Sequence, residues 1–268
     1  MKRLIVTADD FGASVEVNDA VERAHRDGIL TAASLMVTGA AAADAVARAT
    51  WMPRLGVGLH LVLVEGTPAL PPEQVPALVG ADGRFRTDMV RAAIRIFADP
   101  RARRQLEAEI TAQFEAFAAT ALPLDHVNAH KHFHLHPTIA AAVLRIGPSY
   151  GMRAVRAPVE LGAATVETRW ARRLRHRLRK AGMLVPDQVV GLAWTGQFTP
   201  ERMRQALATL PEGLTEVYTH PATGPYPGSA PGYDYAGELA ALLDPLAADA
   251  ITDQMAAHGD FRTFLPPA

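Results

Sequence analysis

Short apolar runs alternate with amphipathic segments along most of the chain. Apolar or alternating runs predict strands over 4–8, 32–38, 55–64, 153–156, 188–194, 214–220 and 261–265, and another where a histidine-rich segment begins near 126. Apolar residues at helical spacing predict helices over 15–28, 40–50, 87–121, 138–150, 166–182, 200–209 and 236–258. This alternation favours parallel strands joined by crossover helices.

The predicted fold is a single α/β domain over residues 1–268. At this length, we expect an irregular, TIM-like (β/α) barrel with about seven parallel strands. An open doubly wound sheet is the alternative. The stretch 65–86 is rich in proline and glycine and predicts a long loop, which in a compact domain is often a lid or binding loop.

Polar side chains fall where predicted strands end. Asp9 and Asp10 follow the first strand, His60 lies late in the third, and His220 closes a late one. Because the carboxyl ends of barrel strands meet at one face, we expect these groups to converge there with the histidine-rich segment.

Five of the ten histidines lie within eleven residues, at positions 126, 130, 132, 134 and 136. In an extended backbone, residues two apart share a face, so the sequence predicts a row of imidazoles. Imidazole is the commonest metal ligand in proteins. We therefore predict a metal site here, and the alternative is a set of polar histidines at a surface turn.

Asp9 and Asp10 can both enter one site only if the strand ends there, and Gly12 offers such a break. One carboxylate could bind a metal while the other takes a proton from water; the alternative is a cap on the next helix. His60 stands beside Gly56 and Gly58, which allow close backbone approach, but a lone strand histidine is often a core residue.

Composition narrows the chemistry. A net charge of −1 gives no nucleic-acid signal. With no cysteine, disulfides and thiolate ligands are excluded, so a metal must be held by imidazole, carboxylate, carbonyl or water oxygen. No long apolar run predicts a membrane span, and we expect a cytoplasmic protein, with peripheral attachment to the inner face of the membrane left open.

The segment 169–180 has seven basic residues and no acidic one. Trp170, Leu174 and Leu178 form an apolar stripe at intervals of four residues. Such a helix can lie on an anionic membrane surface. The alternative, which we favour, is an outer helix packed on the barrel by that stripe.

Four motifs together resemble the YdjC-like carbohydrate deacetylases, which include chitooligosaccharide deacetylases. They are Thr-Ala-Asp-Asp-Phe-Gly at 7–12, Gly-Leu-His-Leu at 58–61, His-Lys-His-Phe-His at 130–134 and Tyr-Thr-His-Pro at 218–221. The string Asn-Ala-His-Lys-His-Phe-His-Leu-His-Pro at 128–137 further resembles the hopanoid-biosynthesis branch. Members of that branch remove an acetyl group from an N-acetylglucosaminyl hopanoid.

The resemblance implies roles for particular residues. Asp9 matches the family's catalytic base, and His220 resembles the histidine that protonates the leaving amine. Asp10, His60 and His130 match the ligands of one divalent metal ion. An imidazole-rich set favours zinc, with magnesium as the alternative.

His132 is expected to contact the substrate or support the site, and the role of His134 is left open. The implied partner is an acetylated amino sugar, with a lipid-linked form left open. Two other classes remain: another metal-dependent hydrolase such as a phosphoesterase, and a glycolipid-binding protein with a structural metal.

Overall fold

The computed structural model describes residues 1–160 and 166–266, except for the side chains of residues 166 and 167. Its described part contains one sheet in which every strand pairing is parallel. The strands are β1 Lys2–Phe11, β2 Ala32–Leu35, β3 Gly56–Leu61, β4 Val127–Ala129, β5 Gln188–Val190, β6 Gly213–Thr219 and β7 Ala257–His258. Their spatial order is β4-β3-β2-β1-β6-β5, and β7 also pairs with β1.

Nine α-helices in the described ranges surround this sheet. They are α1 Val15–Asp27, α2 Ala42–Thr50, α3 Met89–Ala98, α4 Pro100–Ala119, α5 Pro137–Ile146, α6 Val166–Lys180, α7 Pro200–Ala208, α8 Tyr235–Leu243 and α9 Pro245–Asp253. The helical stretch predicted over 87–121 contains two helices, which separate at Asp99 because the residue before a proline is disfavoured in helical geometry. That residue, Asp99, instead caps α4 by accepting a hydrogen bond from the backbone N–H of Arg101.

The segment 154–159 links the two ends of the curled sheet. Val127 N–H donates to the Ala154 carbonyl, and Arg156 N–H donates back to the Val127 carbonyl, each at 3.0 Å. On the other side, Val189 N–H donates to the Val159 carbonyl at 2.8 Å. The fold is therefore an irregular, TIM-like α/β barrel, as predicted, although the strand expected over 153–156 consists only of isolated bridges.

The sheet is buried on both faces. All six residues of β3 and the last eight of β1 are buried, as is usual for parallel strands covered by helices. At Gly58, an added Cβ would lie 2.5 Å from the His126 imidazole. This glycine thus provides the close approach that the sequence predicted.

Two predictions about strands are wrong. Residues 261–265 do not form a strand, since Arg262–Phe264 is a short 3₁₀ helix and β7 lies a few residues earlier. The histidine row does not continue β4, which ends at Ala129. Lys131 and His132 both have φ of 53°, and these left-handed residues turn the chain so that its histidines do not share one strand face.

The basic helix α6 packs on the barrel. Leu174 and Leu178, two residues of its predicted stripe, are buried in the main core, whereas Trp170 is 41% exposed. Most of this stripe is therefore unavailable for contact with a membrane. Within the described ranges, none of the helices has the length and apolar character needed to cross a bilayer.

Candidate active site

The two adjacent aspartates reach one pocket through an irregularity in β1. Asp10 has φ of 64°, and the pairing of β1 with β2 shifts register between Ala8 and Phe11. A left-handed non-glycine residue and a bulge are features that concentrate at functional sites. The break that admits both carboxylates therefore begins at Asp10, and Gly12, with φ of 91°, follows directly after the last residue of β1.

Asp10 lies beside two imidazoles from distant segments. Its Oδ1 is 3.2 Å from His60 Nε2 and 3.2 Å from His130 Nδ1. Ligand atoms of the three residues all lie within 4.8 Å of one another, close enough to bind one ion. The structure thus brings together the three residues that the resemblance implies as metal ligands.

The surroundings of His60 fit a cation. Its Nε2 is buried and has no hydrogen-bond partner among the described residues, although it points at Asp10. Burial lowers the pKa of His60, but the carboxylates of Asp9 and Asp10 outweigh burial and raise that pKa above its ordinary value. Two nitrogens and one carboxylate oxygen also form a ligand set typical of catalytic zinc.

Asp10 itself is held as an anion. Burial alone would raise the pKa of its carboxyl group, but the imidazoles of His130 and His60 lower that pKa well below its ordinary value. A buried carboxylate kept ionised by two imidazoles would favour a bound cation between them.

A buried chain of hydrogen bonds orients His60. Its Nδ1 lies 2.6 Å from Asn128 Oδ1, which can only accept, so Nδ1 carries the proton. The other ring nitrogen then keeps its lone pair for a metal. Asn128 Nδ2 donates to Asp9 Oδ1 at 2.9 Å and to Ser34 Oγ at 2.8 Å. These donations fix the amide orientation that His60 requires.

The chain continues into the core. The Ser34 hydroxyl lies 2.9 Å from His126 Nε2, and His126 Nδ1 lies 2.8 Å from an Asp125 oxygen. Since the carboxylate only accepts, His126 donates through Nδ1 and accepts from Ser34 through Nε2. The four residues that extend this hydrogen-bond chain from His60 (Asn128, Ser34, His126 and Asp125) are all buried. The tautomer of His60 is thus determined by groups as far away as Asp125.

Asp9 has different partners. Arg156 donates to both of its carboxylate oxygens, at 2.5 Å and 3.0 Å, and also to Glu216 at 2.6 Å and 2.9 Å. Burial would raise the pKa of Asp9, but Arg156 and, to a lesser extent, His60 and His220 lower it well below its ordinary value. Asp9 is therefore an ionised carboxylate outside the Asp10 cluster.

The remaining predicted residues lie around the same pocket. His220 follows β6, and its backbone N–H donates to the Glu238 carboxylate. His132 Nε2 lies 3.3 Å from the Tyr218 hydroxyl, which also contacts Thr195 at 2.8 Å. His134 is buried and donates from Nε2 to the Arg156 carbonyl at 2.8 Å, so its ring supports the segment that carries Arg156.

The pocket is a cavity of about 940 Å³, within the size range of small-molecule sites. Its lining includes the candidate residues Asp9, Asp10, His60, His130, His132 and His220. The predicted loop contributes Glu65 and Arg84, and Glu65 forms an ion pair with Lys131. Tyr226 and Tyr233 supply aromatic surface to the lining.

Sequence reasoning missed Arg156, Glu216 and Asn128. Each is a polar residue within an apolar or strand-forming stretch, and each is fully buried. A charged residue inside a strand that is covered on both faces requires a partner. That signal was present at Glu216, in the middle of β6, and could have been used.

Known proteins resemble this chain over most of its length. The profile of the YdjC-like protein family matches residues 3–253. A carbohydrate deacetylase of Geobacillus stearothermophilus is 33% identical over 246 residues, covering 90% of this chain and 89% of that protein. The chain belongs to the YdjC-like family.

One further relative and one solved structure are also similar to this chain. A carbohydrate deacetylase of Brevibacillus brevis is 42% identical over 148 residues, which cover 55% of this chain and 56% of that relative. The solved structure of a candidate cellobiose-phosphate cleavage protein from Enterococcus faecalis V583 superposes with a TM-score of 0.80 at 23% identity, covering 99% of both chains. At that identity, the structural likeness establishes only the fold of this YdjC-like protein.

Proposed function

We propose that this YdjC-like protein is a metal-dependent carbohydrate N-deacetylase that hydrolyses the acetamide of an N-acetylglucosamine-type sugar. The observation that carries the proposal is an ionised Asp9 beside, but not part of, the Asp10, His60 and His130 cluster. A base next to a three-ligand metal site is the arrangement expected for hydrolysis by an activated water. The name shared by the relatives, carbohydrate deacetylase, supports the same reaction.

Asp10, His60 and His130 would hold one divalent ion, with zinc favoured over magnesium because two of the three ligands are imidazoles. When bound, such an ion lowers the pKa of a coordinated water and polarises the acetyl carbonyl. The residues that the structure describes supply three ligands, which leave a position open, whereas a structural zinc site is closed by four. This ligand count favours an enzyme over a binding protein with a structural metal.

Asp9 is the proposed general base. Arg156 and Asn128 hold its oxygens in place, so the carboxylate stays ionised and directed at the pocket. It accepts a proton from water as the water oxygen bonds to the acetyl carbon. A positioned base of this kind typically contributes ~10²–10⁴-fold in rate.

His220 is the proposed general acid. His220 lines the pocket, and the Glu238 carboxylate accepts from its backbone N–H. When the C–N bond breaks, the nitrogen needs a proton to leave as an amine, and His220 donates it. The products are acetate and the free amino sugar.

For the substrate, we propose an N-acetylglucosaminyl hopanoid in hopanoid biosynthesis, reached by a cytoplasmic protein at the inner face of the membrane. The support is the string at 128–137, which resembles that branch of the family. His132, held by Tyr218, lies in the pocket where it can contact the sugar. A chito-oligosaccharide is the competing substrate.

Mass spectrometry after incubation tests both parts. The purified protein is incubated with the acetylated glycolipid and, separately, with chito-oligosaccharides, each with and without a chelator. We expect loss of one acetyl group from the glycolipid, abolished by the chelator. Deacetylation of the chito-oligosaccharide alone would refute the lipid-linked substrate, and no deacetylation of either by metal-loaded protein would refute the reaction.

A further inference from the structure

Helix α3 exposes an apolar stripe. Val90, Ile94 and Phe97 are 68%, 61% and 61% exposed, and their spacing of four and three residues places them on one side of the helix. Among residues whose side chains the structure describes, none of the other helices exposes more than one large apolar side chain. Single exposed apolar residues are ordinary, but a contiguous stripe requires an explanation.

The opposite side of α3 anchors it to the protein. Ala92 and Ile96 are buried and border the same small void as Leu63, which follows β3. The stripe is therefore not needed to hold the helix on the barrel. In this respect α3 differs from α6, whose leucines are buried.

Arginines surround the stripe. Arg91 and Arg95 form the adjacent row of the helix, and both are exposed. At the end of α3, the Arg103 guanidinium lies 5.9 Å from the Phe97 ring centroid and donates to the carbonyls of Ile96 and Phe97. Arg95 has no acidic partner among the described residues, and the pairing of Arg91 with Asp88 is exposed.

The charge of this region is strongly positive in a chain whose net charge is −1. Residues 84–104 contain seven arginines, two aspartates and no lysine or glutamate, which leaves a net charge of +5. The two aspartates, Asp88 and Asp99, are occupied as N-caps of α3 and α4. The surface therefore combines apolar side chains with a positive rim.

Helix α3 and the chain just before it contact segments that also line the pocket. The Phe97 ring lies edge-on to the ring of His136, at the end of the histidine-rich segment, with 6.5 Å between the ring centroids. Just before α3, the Arg86 carbonyl accepts from the backbone N–H of Glu65, which lines the pocket. A partner bound to α3 would consequently lie on a helix that these contacts join to segments lining the pocket.

We propose that α3 attaches the protein to the surface of an anionic phospholipid bilayer. Val90, Ile94 and Phe97 enter the boundary between headgroups and acyl chains, while Arg91, Arg95 and Arg103 meet the phosphates. An apolar stripe with a cationic rim complements that boundary, because each part of the helix meets groups that it prefers. This attachment extends the proposed function by presenting the pocket to a lipid-linked sugar, but binding itself does not depend on the reaction.

Vesicle flotation of the full chain tests the attachment. We expect flotation with vesicles of phosphatidylcholine and phosphatidylglycerol, and much less with phosphatidylcholine alone. Replacing Val90, Ile94 and Phe97 together by serine should reduce binding about tenfold or more, since each buried apolar side chain contributes to interfacial binding. Replacing Arg172, Arg173 and Arg175 of α6 by glutamine is the matched control, and flotation should change little.

A single-cysteine label gives an independent measurement, because the chain has no cysteine of its own. An environment-sensitive dye on Ile94→Cys should shift to the blue with anionic vesicles, and a dye on Trp51→Cys, at a position 80% exposed elsewhere, should not. Absence of flotation by the wild type would overturn the proposal. So would flotation unchanged in the serine variant, or a dimer in solution that the serine variant dissociates. Activity on the acetylated glycolipid solubilised in detergent, measured in parallel, separates failure of attachment from failure of the proposed reaction.

Discussion

Asp9 and Asp10 are neighbours in sequence, but they face opposite chemical surroundings. Asp9 meets a guanidinium and an amide, whereas Asp10 meets two imidazoles. The left-handed backbone at Asp10 directs its side chain to different partners from those of the adjacent Asp9. The comparison shows how one strand end can supply both a metal ligand and a free base, because the identity of the partners and not the carboxylate itself sets the chemistry.

The largest expected effect comes from Asp9→Asn. The amide keeps the size of the side chain but cannot accept a proton, so turnover of the acetylated sugar should fall by ~10²–10⁴-fold. Metal content should change little, because Asp9 is not among the three clustered ligands. The temperature of thermal unfolding should fall, because the amide removes one of the two carboxylates that pair with buried Arg156. Steady-state kinetics measure this effect, and turnover near the wild-type value would remove Asp9 from the mechanism.

Arg156→Met sharpens the comparison from the Asp9 side. It leaves the buried carboxylates of Asp9 and Glu216 without their cation, which should lower the free energy of unfolding by about 3–5 kcal/mol. Denaturant titration measures this loss. Glu216→Gln is the matched control and should cost less, since the Arg156 pair with Asp9 remains. Equal stability of Arg156→Met and the wild type would contradict the account of the Asp9 side.

His60→Ala tests the Asp10 side of the comparison. Loss of one of three protein ligands should weaken metal binding by more than the ~10–100-fold typical of residues that only orient ligands. His132→Ala, in the same pocket but outside the cluster, serves as the control and should keep its metal. Isothermal titration calorimetry with zinc distinguishes the two variants. Equal zinc affinities would contradict the assignment of His60.

Asn128→Ala should have a smaller effect on the same side. Without the Asn128 oxygen, the proton on His60 is no longer held at Nδ1, so metal affinity should fall about 10–100-fold. In Ser34→Ala, one step farther along the hydrogen-bond chain, metal affinity should fall by a smaller factor. Metal affinity in Asn128→Ala equal to that of the wild type would show that the chain does not orient His60.

The sequence predicts the part of the site that lies at strand ends. Asp9, Asp10, His60 and His220 terminate apolar runs, and in a parallel barrel such ends converge, so the pocket follows from the fold. The row of histidines is a different case. Its alternation predicts a strand face, but the positive φ angles at Lys131 and His132 depend on tertiary contacts that periodicity does not report.

The support of the site is harder to read from the sequence. Arg156 acts through carboxylates on β1 and β6, which are far from it along the chain. Asn128 and Ser34 resemble ordinary strand residues until β2, β3 and β4 are placed side by side. Pairing in space determines these roles, and a single sequence contains no direct record of that pairing.

The central claim is that the two aspartates divide the roles of ligand and base. Elemental analysis of zinc in Asp9→Asn and Asp10→Asn, purified in parallel and dialysed identically, tests it most directly. We predict about one ion per chain in Asp9→Asn and a large loss in Asp10→Asn. Equal zinc content in the two variants, or loss of zinc only from Asp9→Asn, would contradict the claim.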